Sequence, residues 1–255
     1  MSTILDLFKL DGKTAIVTGA ARGLGQGMAL ALAEAGADLV VVDVLPTDET
    51  QGLARALGRR CVGIAADVLD RAAIPALIAE ARRNFDALDI LVNCAGIIRR
   101  ADFLDFSEKD WDEVMGINID AVFLLSQAFA RDVVARGAKA RIINIASMLS
   151  FQGGIRVPSY TCSKSAVQGL TRLMANELAA KGIHTNAIAP GYMATDNTAP
   201  LRADEQRSAA ILERIPAGRW GTPDDLKGAV VFLASAAADY VNGHTLAVDG
   251  GWLAR

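Results

Sequence analysis

Tyr160 and Lys164 stand four positions apart, and Ser147 lies thirteen positions upstream of the tyrosine. A phenol of ordinary pKa ~10 is a poor base at neutral pH, and lowering it by about three units takes roughly 4 kcal/mol in favour of the phenolate. One ammonium ~4 Å away, at an effective dielectric of ~20, supplies about that much. If Pro158 opens a helix, residues 160 and 164 are one turn apart on one face, so phenol and ammonium point at the same cleft. Ser147 is then placed to hydrogen-bond a carbonyl or alcohol being converted, and Asn118 to hold a water that links Lys164 to solvent. Taken singly, Tyr160 and Lys164 read equally well as an amphipathic surface pair. Together with Ser147 and the turn described next, they argue for proton chemistry carried by tyrosine.

That turn is Gly19-Ala20-Ala21-Arg22-Gly23-Leu24-Gly25, between a β-branched run at 14–18 and a helical stretch at 24–34. Glycines let backbone approach a pyrophosphate, and the helix N-terminus offers unpaired N–H groups and the positive end of its dipole. Gly19, Arg22, Gly23, Leu24 and Gly25 are therefore candidate dinucleotide contacts. Asp43 follows Gly19 by 24 residues, at the end of a second run, where a carboxylate accepts from adenosine ribose hydroxyls. Arg22 can pair instead with a 2'-phosphate. The Asp43 carboxylate would then be forced against that phosphate, so NAD is the expected cofactor. Asp67 and Val68 after the third run, and Asn93, Ala95 and Gly96 after the fourth, supply further small or polar groups to the same edge. Cys94 reads as a small buried hydrophobe with nothing cationic beside it.

The elements that must position these groups follow from periodicity. Runs at 14–18, 38–44, 61–65, 89–93, 141–146, 184–189 and 245–249 read as strands separated by helices, including an apolar helix from about Glu108 to Val134. Strands apolar on both faces imply a parallel sheet covered on both sides, which also accounts for 52% hydrophobic but only 5% aromatic residues. The fold class is α/β, a Rossmann-like doubly wound seven-stranded parallel sheet, in a single domain over residues 1–255. An irregular segment at about 192–221 is placed to cover the crevice beyond the strand ends. His184 begins a strand at the opposite end, and His184 and His244 are assigned structural roles.

Composition excludes other classes. Lys plus Arg total 26 against 29 Asp plus Glu, a net charge of -3, which argues against nucleic acid. The three cysteines form no C-x-x-C pair, so neither metal nor disulfide is expected and a reducing, cytoplasmic setting fits. No uninterrupted apolar run approaches ~18 residues, so no membrane partner is expected.

Thr18 to Gly25, Asn93 to Gly96, Asn118, Ser147, Tyr160-x-x-x-Lys164 and Pro190-Gly191 together resemble the short-chain dehydrogenase/reductase superfamily over the entire chain. The resemblance implies NAD or NADP, hydride transfer at a carbonyl or alcohol carbon, and a homotetramer. It makes Tyr160 the acid/base, Lys164 its tuner and a ribose ligand, Ser147 the substrate orienter and Asn118 the relay. It extends the cofactor contacts to Pro190, Gly191, Met193 and Thr195. Cys94 departs from the pattern, which usually has a second Asn there. Residues 97–100, 147–156, 201–208 and 248–255 are similar to the branch acting on deoxy-hexonate sugar acids, which implies reduction of a hexonate ketone by NADH in uronate and pectin breakdown. Ser147, Gln152, Arg156, Arg99 and Arg202 are the candidate substrate contacts, and Arg99, Arg100, Arg156 and Arg202 are cations available to a carboxylate. Two other readings stay open: a reductase of the same fold acting on gluconate or a carrier-bound 3-oxoacyl chain, and a non-catalytic NAD-binding protein. Extra apolar positions at Ala121, Phe123, Leu124 and Ala128 widen a helix face beyond what one sheet contact needs, in line with a homotetramer.

Overall fold

The computed structural model describes residues 3–255. Seven strands form one sheet: β1 (Thr14–Thr18), β2 (Asp38–Asp43), β3 (Cys61–Ala65), β4 (Ile90–Asn93), β5 (Ala140–Ile145), β6 (Ile183–Pro190) and β7 (Thr245–Val248). Every pairing is parallel and the order is β3-β2-β1-β4-β5-β6-β7. The order reverses between β1 and β4, and in such sheets the carboxyl ends at the reversal open a crevice. Helices α1 (Gly23–Glu34), α2 (Asp48–Ala56), α3 (Ala73–Asn84), α4 (Glu108–Met115), α5 (Ala121–Ala135), α6 (Pro158–Leu178), α7 (Ala199–Ala203), α8 (Glu205–Arg214) and α9 (Lys227–Ala234) connect and cover the strands.

Alternate residues of each strand feed two cores. Val17, Val41, Val92 and Ile188 pack with Met28 and Leu32 of α1 and Val230 and Leu233 of α9. Ile16, Val40, Leu91 and Ile142 pack on the other face with Leu77 of α3, Leu125 and Phe129 of α5 and Met174 of α6. Each fully buried Leu, Ile or Phe contributes about 1.5–3 kcal/mol, so the two layers hold the strand ends rigid.

Local signals set the helices that carry the site. Ser107 caps α4 by accepting from the Asp110 N–H at 3.1 Å. Pro158 opens α6, as its fixed φ and missing N–H allow. The helix expected from Glu108 is interrupted by one π-helical turn, Gly116–Asp120, before it resumes as α5. Such a turn inserts one extra residue and re-aims the side chains after it. Counted through that turn, Glu108–Ala135 is long and apolar enough to cross a membrane by length and composition, although no uninterrupted apolar run in it reaches that length. Its buried residues Val122, Leu125, Phe129 and Val133 are spent within the protein.

Candidate active site

The carboxyl ends of β1, β2, β4 and β5 border a cleft of about 360 Å³. Gly19 adopts φ +67° and its N–H donates to Val42 O at 2.8 Å, which turns the chain away from β1 towards α1. A Cβ at Gly19 would lie 2.9 Å from Ala95 Cα, and one at Gly25 only 2.0 Å from Gly19 O. The turn is therefore compressed so that backbone alone faces the groove, the arrangement a pyrophosphate needs. Asp43 steadies it: Oδ2 accepts from Ala21 N at 2.9 Å and Oδ1 from Leu45 N at 3.0 Å. A carboxylate has lone pairs left after two such bonds, so Asp43 can still receive a ribose hydroxyl. Thr18 locks the opposite bank, its Oγ1 accepting from Cys94 N and Ala95 N at 3.1 Å each. Gly19, Arg22, Gly23, Leu24, Gly25, Asp43, Asp67, Val68, Ala95, Gly96, Tyr160, Lys164 and Thr195 all border this cleft. These residues fit a nicotinamide dinucleotide.

Other expected contacts lie elsewhere. The Asn93 side chain is buried and donates to Ser126 Oγ at 2.9 Å and Asn144 Oδ1 at 2.8 Å, because the pleat turns it into the sheet. Gly191 and Met193 line a separate small cavity, and a Cβ at Gly191 would meet Asp249 Cα at 2.6 Å. Pro190 ends β6, beside Val248 of β7.

Ser147 follows β5, buried, with its Oγ accepting from Leu149 N at 3.1 Å. Its side chain acts on the Tyr160 phenol and lowers it, which brings the expected substrate orienter to the expected acid/base. Lys164, one turn beyond Tyr160 on α6, is only 4% exposed and donates to Ile145 O at 2.6 Å, with Nζ 5.7 Å from the centre of the Tyr160 ring. Burial pushes Lys164 down to about 8, and burial raises Tyr160 against the lowering effect of Ser147 and Arg100. The lysine alone does not bring the phenol down: the simple Coulomb sum leaves out what desolvation costs both charged forms. Cys94 does face the Lys164 ammonium, yet burial outweighs that cation and holds the thiol up at about 12.

Asn118 lies in the π-helical turn with no exposed surface. Its Oδ1 accepts from Ile97 N at 2.9 Å, and its Nδ2 donates to Ile97 O at 2.9 Å and Ser163 Oγ at 3.2 Å. The side chain clamps the Gly96-Ile97 strand exit onto α6.

Residues 19–253 match the family model described as Enoyl-(Acyl carrier protein) reductase. The 2-dehydro-3-deoxy-D-gluconate 5-dehydrogenase of Escherichia coli (strain K12) is 64% identical over 252 residues, 99% of this chain and 100% of the relative. The chain belongs to the short-chain dehydrogenase/reductase family. As a member of that family it is an oxidoreductase that uses a nicotinamide cofactor. Two solved dehydrogenases overlay it closely. One, described as a 2-deoxy-D-gluconate 3-dehydrogenase from Agrobacterium tumefaciens with bound NADP, has a TM-score of 0.92 and 56% identity, covering 98% of this chain and 100% of that one. The other, a gluconate 5-dehydrogenase from Burkholderia cenocepacia J2315 in complex with NADP and tartrate, has a TM-score of 0.94 and 43% identity, covering 99% and 100%.

In this dehydrogenase/reductase the candidate substrate cations are not equivalent. Arg99 pairs with Glu113 at 3.0 Å and Asp110 at 3.7 Å, both on α4. Arg156 sits at φ +63° and pairs with Asp102 at 3.0 Å. Arg202 donates to Thr195 O at 3.1 Å, and Gln152 accepts from Arg214 at 3.3 Å. Arg100 is different: it stays solvent-accessible, has no carboxylate partner among the described residues, and its charge acts on both Tyr160 and Tyr192. It donates to a backbone oxygen, Asn197 O, at 2.9 Å. The sequence offered four arginines and no means of choosing among them. Tyr192, packed edge-on against Trp220 and Trp252, was not singled out either, although an aromatic directly after Gly191 was the available signal.

Proposed function

We propose that this short-chain dehydrogenase/reductase interconverts a keto group and a secondary alcohol on a deoxy-hexonate sugar acid of the 2-dehydro-3-deoxy-D-gluconate class, with NADH as reductant, as a step of uronate and pectin breakdown. The observation that carries the reading is Arg100, a guanidinium without a carboxylate partner among the described residues, whose charge acts on the tyrosine that would handle the proton. A sugar-acid carboxylate is its natural counter-ion. The 64% identical relative bears the corresponding name.

The bound nicotinamide supplies or accepts the hydride. The chain's own groups do the rest. Tyr160 gives its phenolic proton to the carbonyl oxygen as the alcohol forms, and takes it back in the reverse direction. Ser147 holds that oxygen and fixes the phenol's direction. Lys164 would hold the nicotinamide ribose and, together with the positive charge of the oxidised cofactor, would lower the phenol that burial alone holds up. Asn118 is the structural end of a route for solvent protons to Lys164. Asp43 supports NAD over NADP by the like-charge argument, although the two solved relatives hold NADP. The segment at 192–221 covers the substrate. We further propose a cytoplasmic homotetramer. The three cysteines are free, in keeping with a reducing compartment, and Phe123 of α5 and Leu173 of α6 are 44% and 51% exposed, as an interface between copies would leave them.

The test is NADH oxidation by the purified protein over a panel of keto-hexonates and their neutral keto-sugar analogues. Turnover confined to the acids, with Arg100→Met raising KM about tenfold or more, is the expected result for loss of a charge-assisted contact. Equal turnover of the neutral analogues would refute the assignment.

A further inference from the structure

Arg22, Asp43 and Asp196 all border the cofactor groove. Arg22 is the residue immediately before α1, with extended backbone, and its Nη1 lies 2.8 Å from Asp196 Oδ2. Both side chains are about two-thirds or more exposed, 67% and 71%. Among the described residues no other carboxylate lies within ion-pair distance of Arg22. The one guanidinium of the glycine turn that can reach a 2'-phosphate is therefore already bonded, and to a residue of the covering segment rather than of the nucleotide-binding half.

We propose that Asp196 is a dinucleotide-specificity residue: it withholds Arg22 from the 2'-phosphate and thereby disfavours NADP. The proposal rests on the reading that Arg22 faces the adenosine end of the cofactor. A guanidinium that meets the phosphate must give up or share its carboxylate. Discrimination is then divided between two carboxylates on different elements, Asp43 at the end of β2 and Asp196 just before α7, and the second acts only through Arg22. The groove edge at Asp196 thus ties cofactor choice to the covering segment.

Two sources of phosphate can answer to Arg22: the pyrophosphate common to both cofactors and the 2'-phosphate of NADP alone. Direct titration of NADH and NADPH, by calorimetry on the intact protein, separates them. Asp196→Asn should lower Kd for NADPH about three- to fivefold, the reach of an exposed ion pair, and leave Kd for NADH unchanged. The same substitution in an Arg22→Ala background should lose this effect. An equal gain for both cofactors would assign Arg22 to the pyrophosphate and overturn the proposal. A gain that persists without Arg22, or no gain at all, overturns it as well. Adding Arg22→Ala to Asp196→Asn reports on the underlying reading: if removing the freed guanidinium leaves the NADPH to NADH ratio of Kd unchanged, Arg22 does not meet the 2'-phosphate, and the proposal is overturned at that step.

Discussion

Replacing Lys164 by methionine should abolish turnover and yet stabilise the fold at neutral pH. The lysine is 4% exposed, and burial holds it at about 8 rather than the ordinary 10.5. Below pH 8 the amine is charged in both the folded and the unfolded chain, so the fold carries the full cost of the buried charge. At about 1.4 kcal/mol per pH unit, that cost is about 3 kcal/mol at pH 7. As pH rises past 8 the folded protein releases the proton while the unfolded chain keeps it up to about 10.5, so the wild type gains stability and the cost falls to about 1.4 kcal/mol at pH 9.5. Methionine avoids the charge but leaves Ile145 O without its donor, now 2.6 Å away. That loss costs about 1–2 kcal/mol at any pH. The variant should therefore be more stable by about 1–2 kcal/mol at pH 7 and near parity with the wild type at pH 9.5. Urea unfolding of both proteins at one fixed protein concentration, at the two pH values, measures the gap. A variant less stable at pH 7, or a gap that does not shrink by pH 9.5, would refute the reasoning.

Three further outcomes are expected. Tyr160→Phe keeps the ring but removes the proton, so turnover should fall at least about a hundredfold while NADH affinity changes little; retained turnover in the NADH assay would remove Tyr160 from the chemistry. Gly25→Ala places a methyl group 2.0 Å from Gly19 O, a backbone atom that cannot swing aside, so the turn must open and dinucleotide binding should be lost in calorimetry. Light scattering should report about four times the 26.8 kDa chain mass. A mass of one chain across micromolar concentrations would contradict the assembly proposed from Phe123 and Leu173.

Much of the architecture is local in origin and was therefore legible in the residues. Strands buried on both faces must be short β-branched runs, so β1 and β3 coincide with the stretches expected at 14–18 and 61–65, and the other five differ by one residue at one or both ends. The pairing of Tyr160 with Lys164 needs only Pro158 and helical spacing, and the compressed turn at Gly19 and Gly25 needs only glycine. What the residues alone left open is set by neighbours distant in the chain. Arg99 and Arg100 are adjacent, but one is neutralised by α4 and the charge of the other acts on Tyr160. Asn93 belongs to a motif of the cleft, but the pleat of β4 directs its amide to Ser126 and Asn144 instead. The lowering of Tyr160 expected from Lys164 is likewise outweighed by burial, because spacing gives the distance between two groups and not the water removed from around them. Arg22 and Asp196 meet only because α1 and the covering segment close over one groove. Side-chain periodicity is a property of the chain, whereas burial and long-range charge pairing exist only once the layers have packed.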